Sequence, residues 1–571
     1  MNIIGLYGAI DWDANIFLKK INEETAWTTW IHDSGATLLK DGKHICSILE
    51  ERLTRFKNEG NFPDKSIDYC LECGNLSKND IDLVVFATGA CLYFSEKSTP
   101  QKLEKKIKSI FPNAKLEIIS HHTSHAMSSI MSSDFDEGIV IVNDGSGSNL
   151  FSNDERKHTE MDSNGFFKKS EKILNMTNTI NGFNEYSGFH GATSYLIYCK
   201  KMKKIYPTSD PKYIGTWDGK VMGLSAYGKE QDLTLKCNKY YDILCRDIGS
   251  LPLISFIDNK IWEFKTRDKT PEDAAWLLQK NFENAVSEYL TILKERKYLK
   301  ENVCFAGGSY LNVLSNSKIK KSNIANIHIP PFTNDSGQSF GAASYGAFKY
   351  EGGIEMPHNI SLLGKEYSNE EILSVLQDND KCLLYEKYDF GELCQIVSEK
   401  LKENQIIGWF QNRSEYGPRA LCARSILMNP SHKENKDILN LKVKHREYWR
   451  PFAGVILEEY VDDYFEDGFI SPYMLYSMTV REDKLNVIPA ITHVDKTCRP
   501  QTVNRRYNPQ ITELLESFNR LVGIPVLLNT SFNDNGEPIV ESPKDAIDSF
   551  IKMNMDCLAI GNYVVTKRDR V

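Results

Sequence analysis

Three uninterrupted apolar runs, at 83–87, 138–142 and 303–306, constrain this chain more than any other feature of its sequence. Runs of four or five such residues, bounded by polar or turn-forming segments, suit strands buried on both faces of a sheet. Such strands need helices over them, and amphipathic patterns alternate with them here, so the fold class is α/β. Further strands are expected at 3–7, 36–39 and 45–50, the last two joined by a Lys-Asp-Gly-Lys hairpin turn. Between 151 and 300 the pattern becomes mostly helical. There 271–296, with Pro271 suited to the first turn, reads as the longest amphipathic helix.

A stretch rich in Gly, Pro and polar residues at 351–358 reads as a linker, and Ser368-Asn-Glu-Glu371 as a capping box opening a new helix. Strands at 405–410, 452–457 and 526–528 follow. The expected division is a large domain, 1–355, and a smaller one, 366–571, since 571 residues exceed one core. No apolar run approaches the roughly 18 residues that span a bilayer. The first ten residues lack a basic lead and a cleavage site, so a cytoplasmic protein is expected. A net charge of −8 argues against a nucleic-acid partner. Cys70 and Cys73 form a C-x-x-C without a second pair. Their spacing within a helix at 66–74, ending at a Gly cap, points to packing rather than to zinc.

His121 and His125 are spaced i, i+4, so on a helix they share a face and can grip one ion. Asp144 follows the apolar run at 138–142 in a Gly-rich turn, and Asp335 precedes a helix start. Both are places where an α/β sheet delivers ligands. Two imidazoles with two carboxylates suit iron(II), manganese or zinc alike. Gly307 and Gly308, with Asn312 a turn later, offer backbone NH groups to a nucleotide. His32, ahead of the hairpin, is either a packed histidine or a general base for a hydroxyl.

Within an acidic chain, residues 413–450 are rich in cations set among Gly, Pro and aromatic residues. They include Arg413, Arg419, Arg424, Lys444, Arg446 and Arg450, and Arg499 lies beside another proline. Guanidinium forks on stiff backbone bind phosphates with geometry as well as charge. Asn529, Ser531 and Asn533, past the strand at 526–528, add short polar side chains. The cluster is compact and lacks a repeating aromatic platform, so ATP fits it better than nucleic acid.

Taken together, these motifs resemble the NodU/CmcH-type O-carbamoyltransferases of nodulation and antibiotic biosynthesis, collinearly and over nearly the full length. The match runs through His32-Asp-Ser-Gly-Ala, Glu50-Glu-Arg-Leu-Thr-Arg55, the His121/His125 pair and Gly219-Lys-Val-Met-Gly-Leu-Ser-Ala-Tyr-Gly228. It continues through Ala306-Gly-Gly, Asp335, Gly408-Trp-Phe-Gln, Tyr416-Gly-Pro-Arg-Ala-Leu421, Leu441-Lys-Val-Lys-His-Arg446 and Leu528-Asn-Thr-Ser-Phe-Asn533. The resemblance implies a large ASKHA-type (actin/Hsp70-like) metal-binding domain followed by a smaller YrdC-like domain. The signatures of the latter are Lys444/Arg446 and Ser531/Asn533. It implies that carbamoyl phosphate and ATP form carbamoyladenylate in the small domain. His32 then deprotonates a hydroxyl acceptor at the metal site, with iron(II) as the first choice of ion. It also places Lys220 in a nucleotide-binding motif.

The implied acceptor is a small molecule such as a sugar, nucleoside or natural product, and such enzymes are often homodimers. Three departures stand out: an insertion at 11–30, Ser309 and Tyr310 after Gly-Gly, and Cys422 and Cys498 beside the basic motifs. The rival readings are a thiol-directed maturation carbamoyltransferase, a non-catalytic nucleotide-binding regulatory or assembly protein, and a tRNA-modifying enzyme. The first lacks its acylphosphatase domain and paired zinc fingers here, and the last lacks a basic face.

Overall fold

The computed structural model describes residues 1–10, 31–88, 99–144, 162–178, 217–230 and 269–568. The insertion at 11–30 and the turn at 145–148 lie outside them. Two compact units emerge, Met1–Thr54 with Asn58–Met356, and Arg55–Lys57 with Pro357–Val571.

In the first unit, β1 (Asn2–Tyr7) is buried at every residue but its first, as its apolar composition requires. It pairs antiparallel with β2 (Gly35–Lys40) and parallel with β4 (Leu83–Ala87). With β3 (Lys43–Leu49) and β5 (Lys115–Ile119) the sheet order is β3-β2-β1-β4-β5. A second sheet repeats the scheme. Strand β6 (Glu137–Asn143) pairs antiparallel with β7 (Asp162–Lys168) and parallel with β9 (Asn302–Ala306). Strands β8 (Ile173–Asn178) and β10 (Asn326–His328) complete the order β10-β9-β6-β7-β8. Two five-stranded sheets, each with three antiparallel and then two parallel strands, make the duplicated ASKHA-type architecture expected from the sequence.

Helix Gln338–Tyr350 packs on both β1 and helix His121–Ser132. Its Gly341 permits the second contact, because a Cβ there would meet the Ser124 carbonyl oxygen at 2.0 Å. That close crossing brings the start of one helix beside the start of the other. The helix expected at 271–296 is observed as Pro271–Glu295. Among the described residues of 151–300, helices Trp217–Ser225 and Pro271–Glu295 are accompanied by a hairpin of β7 and β8 that the mostly helical reading did not include. Helix Asp64–Gly74 ends on left-handed Asn75 rather than on the glycine. Its Cys70 thiol is buried 3.5 Å from the Ala36 carbonyl oxygen, as packing at i, i+3 implies.

The second unit is an α/β domain on one eight-stranded mixed sheet. Its strands are β11 (Leu383–Lys387), β12 (Ile407–Phe410), β13 (Arg424–Met428), β14 (Ala453–Leu457), β17 (Pro500–Val503), β18 (Val526–Ser531), β19 (Cys557–Ile560) and β20 (Tyr563–Lys567). They run in the order β11-β20-β19-β12-β13-β18-β14-β17, while β15 (Met478–Thr479) and β16 (Thr497–Cys498) pair separately. The capping box opens helix Asn369–Asp378: Ser368 Oγ accepts from the Glu371 NH, and the Glu371 carboxylate accepts from the Ser368 NH at 2.7 Å. Strands β13, β14 and β18 form the apolar centre. Their register sets Asn529 level with Leu427 and Ala453, and Ser531 level with Ser425. No described helix is long and apolar enough to cross a membrane.

Candidate active site

Ser120 caps helix His121–Ser132, its hydroxyl accepting from the Thr123 NH, so the two histidines start on one ordered turn. Asp144 comes directly after β6, and Asp335 opens the short turn Asp335–Gly337 that leads into helix Gln338–Tyr350. Ligand atoms from His121, His125, Asp144 and Asp335 all lie within 4.8 Å of one another, and all four residues are buried. His121 Nε2 is 3.2 Å from Asp144 Oδ2 and 3.3 Å from Asp335 Oδ1. His125 Nε2 is 3.5 and 3.4 Å from the same atoms.

A ring of outer contacts orients these groups. His121 Nδ1 donates to the Thr88 carbonyl at 3.2 Å, which turns the Nε2 lone pair towards the carboxylates. Asp144 Oδ1 accepts from the Gly308 NH, and Asp335 Oδ2 from the Tyr7 hydroxyl, both at 2.8 Å. His125 Nε2 is buried without a hydrogen-bond partner. Two imidazole nitrogens and two carboxylate oxygens therefore converge, an arrangement balanced by protons on the imidazoles or by a bound cation, and the N/O donor set fits a divalent transition ion. The electrostatics agree. Burial opposes the His121 imidazolium, yet Asp335 and Asp144 outweigh it and raise its pKa to about 10. Burial likewise opposes the Asp335 carboxylate, but His121 and His32 hold it far below the usual range. On the other side of the helix, burial and then the neighbouring imidazoles push His122 down to about 3.

His32 stands at the edge of this cluster, its Nε2 4.0 Å from Asp335 Oδ2. Its Nδ1 donates to Asp33 Oδ2 at 3.1 Å, and the Asn334 amide donates to the same oxygen at 2.8 Å. Burial lowers the His32 pKa, but Asp33 and Asp335 prevail and bring it to about 10. Sequence reasoning missed Tyr7, Asp33 and Asn334. The only signal was adjacency, since Asp33 and Asn334 sit beside His32 and Asp335 in the chain.

Other assignments come out differently. The Gly307 NH donates to the Thr333 carbonyl at 2.7 Å, and the Gly308 NH is already bound to Asp144. Both glycine NH groups are thus spent within the protein, that of Gly308 on a carboxylate of the acidic cluster and that of Gly307 on backbone. Gly307 has φ 103, and a Cβ there would meet the Asn143 carbonyl oxygen at 2.1 Å. Gly307→Ala should cost about 2 kcal/mol or more, read as a lower melting temperature. The Asn312 side chain is buried and exchanges two hydrogen bonds with Gln279, at 2.9 and 3.0 Å, while capping the next helix. Lys220 is buried on helix Trp217–Ser225.

In the second unit the signature residues meet. Lys444 Nζ donates to the Ser531 carbonyl at 2.7 Å, to Ser531 Oγ at 3.3 Å, and to Asn533 Oδ1 at 3.2 Å. The Arg446 guanidinium lies 4.4 Å over the Phe452 ring, its Nε donating to Asn440 Oδ1. Arg419 and Arg499 each bury an Nε that has no hydrogen-bond partner. Burial, then repulsion between cations, lowers four of them: Arg419 against Arg499 and Arg450, Lys444 against Arg446 and Arg450, Arg446 against Arg450, and Arg499 down to about 10. Cations gathered in this way suit an anion. Glu447, 3.7 Å from Arg450, is the one carboxylate paired to an arginine of this group among the described residues.

Arg424 is a correction to the phosphate-binding set. It is fully buried, stacks 3.6 Å over Phe410 and donates to the carbonyls of Gln411, Asn412, Ala423 and Glu541. Backbone acceptors hold its Nε and Nη1, so it braces the strand. Glu415, also unanticipated, accepts from the NH groups of Leu421, Ala423 and Arg424 at 2.8, 2.8 and 2.9 Å. Its carboxylate closes the loop that presents Arg419.

Comparisons with known proteins bear on both units. The family model for the carbamoyltransferase N-terminus matches residues 26–108 and 91–344, and that for the carbamoyltransferase C-terminus matches 398–567. The nodulation protein NolNO of Sinorhizobium fredii is 32% identical over 96% of this chain and 82% of its own length. Uncharacterized proteins of Synechocystis sp. and Methanocaldococcus jannaschii are each 32% identical. They cover 95% and 94% of this chain, and 96% and 98% of their own lengths.

Proposed function

The chain belongs to the carbamoyltransferase family, and from that premise we propose that it transfers carbamoyl from carbamoyl phosphate, by way of ATP, to the hydroxyl of a small-molecule acceptor. The observation that carries this reading is the set of buried, mutually repelling cations in the second unit. Its guanidinium groups suit two anions, a nucleotide triphosphate and an acyl phosphate. Carbamoyl phosphate is cleaved by water to carbamate and phosphate. A carbamate oxygen then attacks the α-phosphorus of ATP, which expels pyrophosphate and leaves carbamoyladenylate. Arg419, Arg446, Arg450, Arg499 and Lys444 bind and orient the phosphates and offset charge developing on the leaving groups.

The transfer half-reaction belongs to the first unit. His121, His125, Asp144 and Asp335 would hold a divalent ion, iron(II) or else manganese or zinc, which when bound supplies Lewis-acid stabilisation of the adenylate phosphate. A cation there also cancels the carboxylate field that holds a proton on His32. His32 Nε2 takes the proton from the acceptor hydroxyl, while Asp33 fixes the ring through Nδ1. The acceptor oxygen bonds to the carbamoyl carbon, and AMP leaves. Tyr7→Phe, which removes the hydroxyl donor to Asp335, should weaken metal binding by about tenfold, measured by competition with a chelating dye.

The decisive test is pyrophosphate release from the full-length protein with ATP, carbamoyl phosphate and iron(II) or manganese, without acceptor. Release that requires both substrates is the expected result. No release under any of these metals, with or without hydroxyl compounds present, would sink the proposal.

A further inference from the structure

The edge of a sheet is where it can take on another strand, because an edge strand carries a row of backbone groups with no ladder partner. Some sheet ends here are sealed by the chain itself. At β3 the His44 NH donates to the Glu355 carbonyl at 3.2 Å. At β17 the Thr502 NH donates to the Ser471 carbonyl at 2.9 Å, and at β11 the Arg568 Nε donates to the Leu383 carbonyl at 3.0 Å. The edge at β5 is different. Its ladder with β4 begins with the Lys115 NH, which donates to the Asp82 carbonyl at 2.9 Å, and ends with the Ile119 carbonyl, which accepts from the Thr88 NH at 3.1 Å. Residues of a parallel strand alternate in the side they bond. The NH and carbonyl groups of Leu116 and Ile118 therefore point away from the sheet, and no described residue bonds to them.

A groove of about 450 Å³ follows that edge. On one face of the strand, Leu116 and Ile118 are half-buried against the apolar cluster that holds Leu103 and Ile107 of helix Thr99–Ile110. On the other face, Lys349 Nζ donates to both carboxylate oxygens of Glu117, at 2.8 and 2.9 Å, and the Tyr350 hydroxyl donates to one of them. Lys115 lies two residues before Glu117 on that same face and is exposed. The edge thus reads cation, apolar, anion, apolar. Such a strand complements its own copy when the two run antiparallel about Leu116. Each Leu116 then exchanges both hydrogen bonds with the other, each Ile118 NH reaches the opposite Ala114 carbonyl, and each Lys115 falls opposite a Glu117. The charged residues occupy the non-hydrogen-bonded positions, where facing side chains are closest. A register centred on Glu117 or on Lys115 would set like charges against each other instead.

We propose that β5 is an interface with a second copy of this chain, the two strands pairing antiparallel across a two-fold axis at Leu116 and joining two five-stranded sheets into one. The contact is isologous, so it closes at the dimer. An unrelated strand would gain the backbone bonds alone, whereas a second copy also brings the matching charges. Lys349 and Tyr350 already hold Glu117 in place, so less side-chain freedom is lost when Lys115 of the other copy arrives. The pairing needs neither substrate nor metal and stands apart from the reaction proposed above.

The test is sedimentation of the full-length protein over a concentration series, with amide hydrogen exchange as the local readout. The wild type should dimerise at micromolar concentration, and exchange at Leu116 and Ile118 should slow as the dimer forms. Lys115→Glu and Glu117→Lys each set like charges at both pairs, and each should raise the dimer Kd by about tenfold or more. Mixed in equal amounts, these two variants carry opposite charges at both pairs and should recover wild-type affinity as a heterodimer. Lys115 is exposed, so Lys115→Glu should melt with the wild type and decides the matter alone if Glu117→Lys does not fold. A wild type that stays monomeric overturns the proposal. So does a dimer that Lys115→Glu leaves unchanged, one that does not slow exchange at Leu116 and Ile118, or a folded pair of variants that does not recover on mixing.

Discussion

Arg419→Ala is expected to slow pyrophosphate formation by about a thousandfold and at the same time to raise the melting temperature. The two effects share one cause. Arg419 buries an Nε without a partner beside Arg499 and Arg450, and burial and repulsion both work against its charge. A group held at such cost is one the bound phosphates stabilise, so the free protein is better off without it, by about 1 kcal/mol. Arg424→Ala, five residues on, should behave in the opposite way. Its guanidinium satisfies four backbone carbonyls inside the sheet, so its loss costs about 3 kcal/mol or more and appears as insolubility or early melting. Thermal melts and single-turnover pyrophosphate release on the two variants check this directly. An Arg419→Ala protein that melts earlier than wild type, or that releases pyrophosphate normally, would show that this arginine braces the loop and does not bind phosphate.

That contrast shows what charge in a sequence can and cannot reveal. Residues 413–450 announce an anion site, because cations set beside Gly and Pro are held rather than solvated. Which way each one points depends on strand register, and Arg424 opens β13 on the enclosed side. The strands at 83–87, 138–142 and 303–306 were legible because burial on both faces demands unbroken apolar runs. The hairpin of β7 and β8 was not, since Asp-Ser-Asn-Gly and Lys-Lys-Ser-Glu-Lys break its apolar pattern. His121 and His125 could be paired by helical spacing alone. Tyr7 could not be joined to Asp335, nor Asn334 to Asp33, because those bonds span some three hundred residues and exist only in the folded domain. In the sequence, Gly307 and Gly308 read as offering their NH groups to a nucleotide. The structure uses the same NH chemistry on a carboxylate of its own, Asp144.

Asp335→Asn should separate the two half-reactions. The amide keeps the shape of the side chain and can still accept from Tyr7, but it removes one of the two charges that face His121 and His125. Metal affinity should fall by at least about 100-fold and carbamoyl transfer by about a thousandfold. Pyrophosphate release without acceptor should continue, because its cations all belong to the second unit. The wild-type protein treated with a chelator gives a complementary result, for a cluster of two carboxylates stripped of its ion must recruit a proton instead. His121 has its pKa raised from 6.5 to about 10, so the stabilisation from that proton is complete below 6.5 and is lost as the pH climbs through 10. Melting temperatures of the stripped protein should therefore decline across that window, while saturating metal should flatten the decline and Asp335→Asn should shift it to lower pH. If Asp335→Asn retains its metal, or if stripped and loaded proteins lose stability in parallel as the pH rises, then His121, His125, Asp144 and Asp335 do not form the metal centre proposed for them.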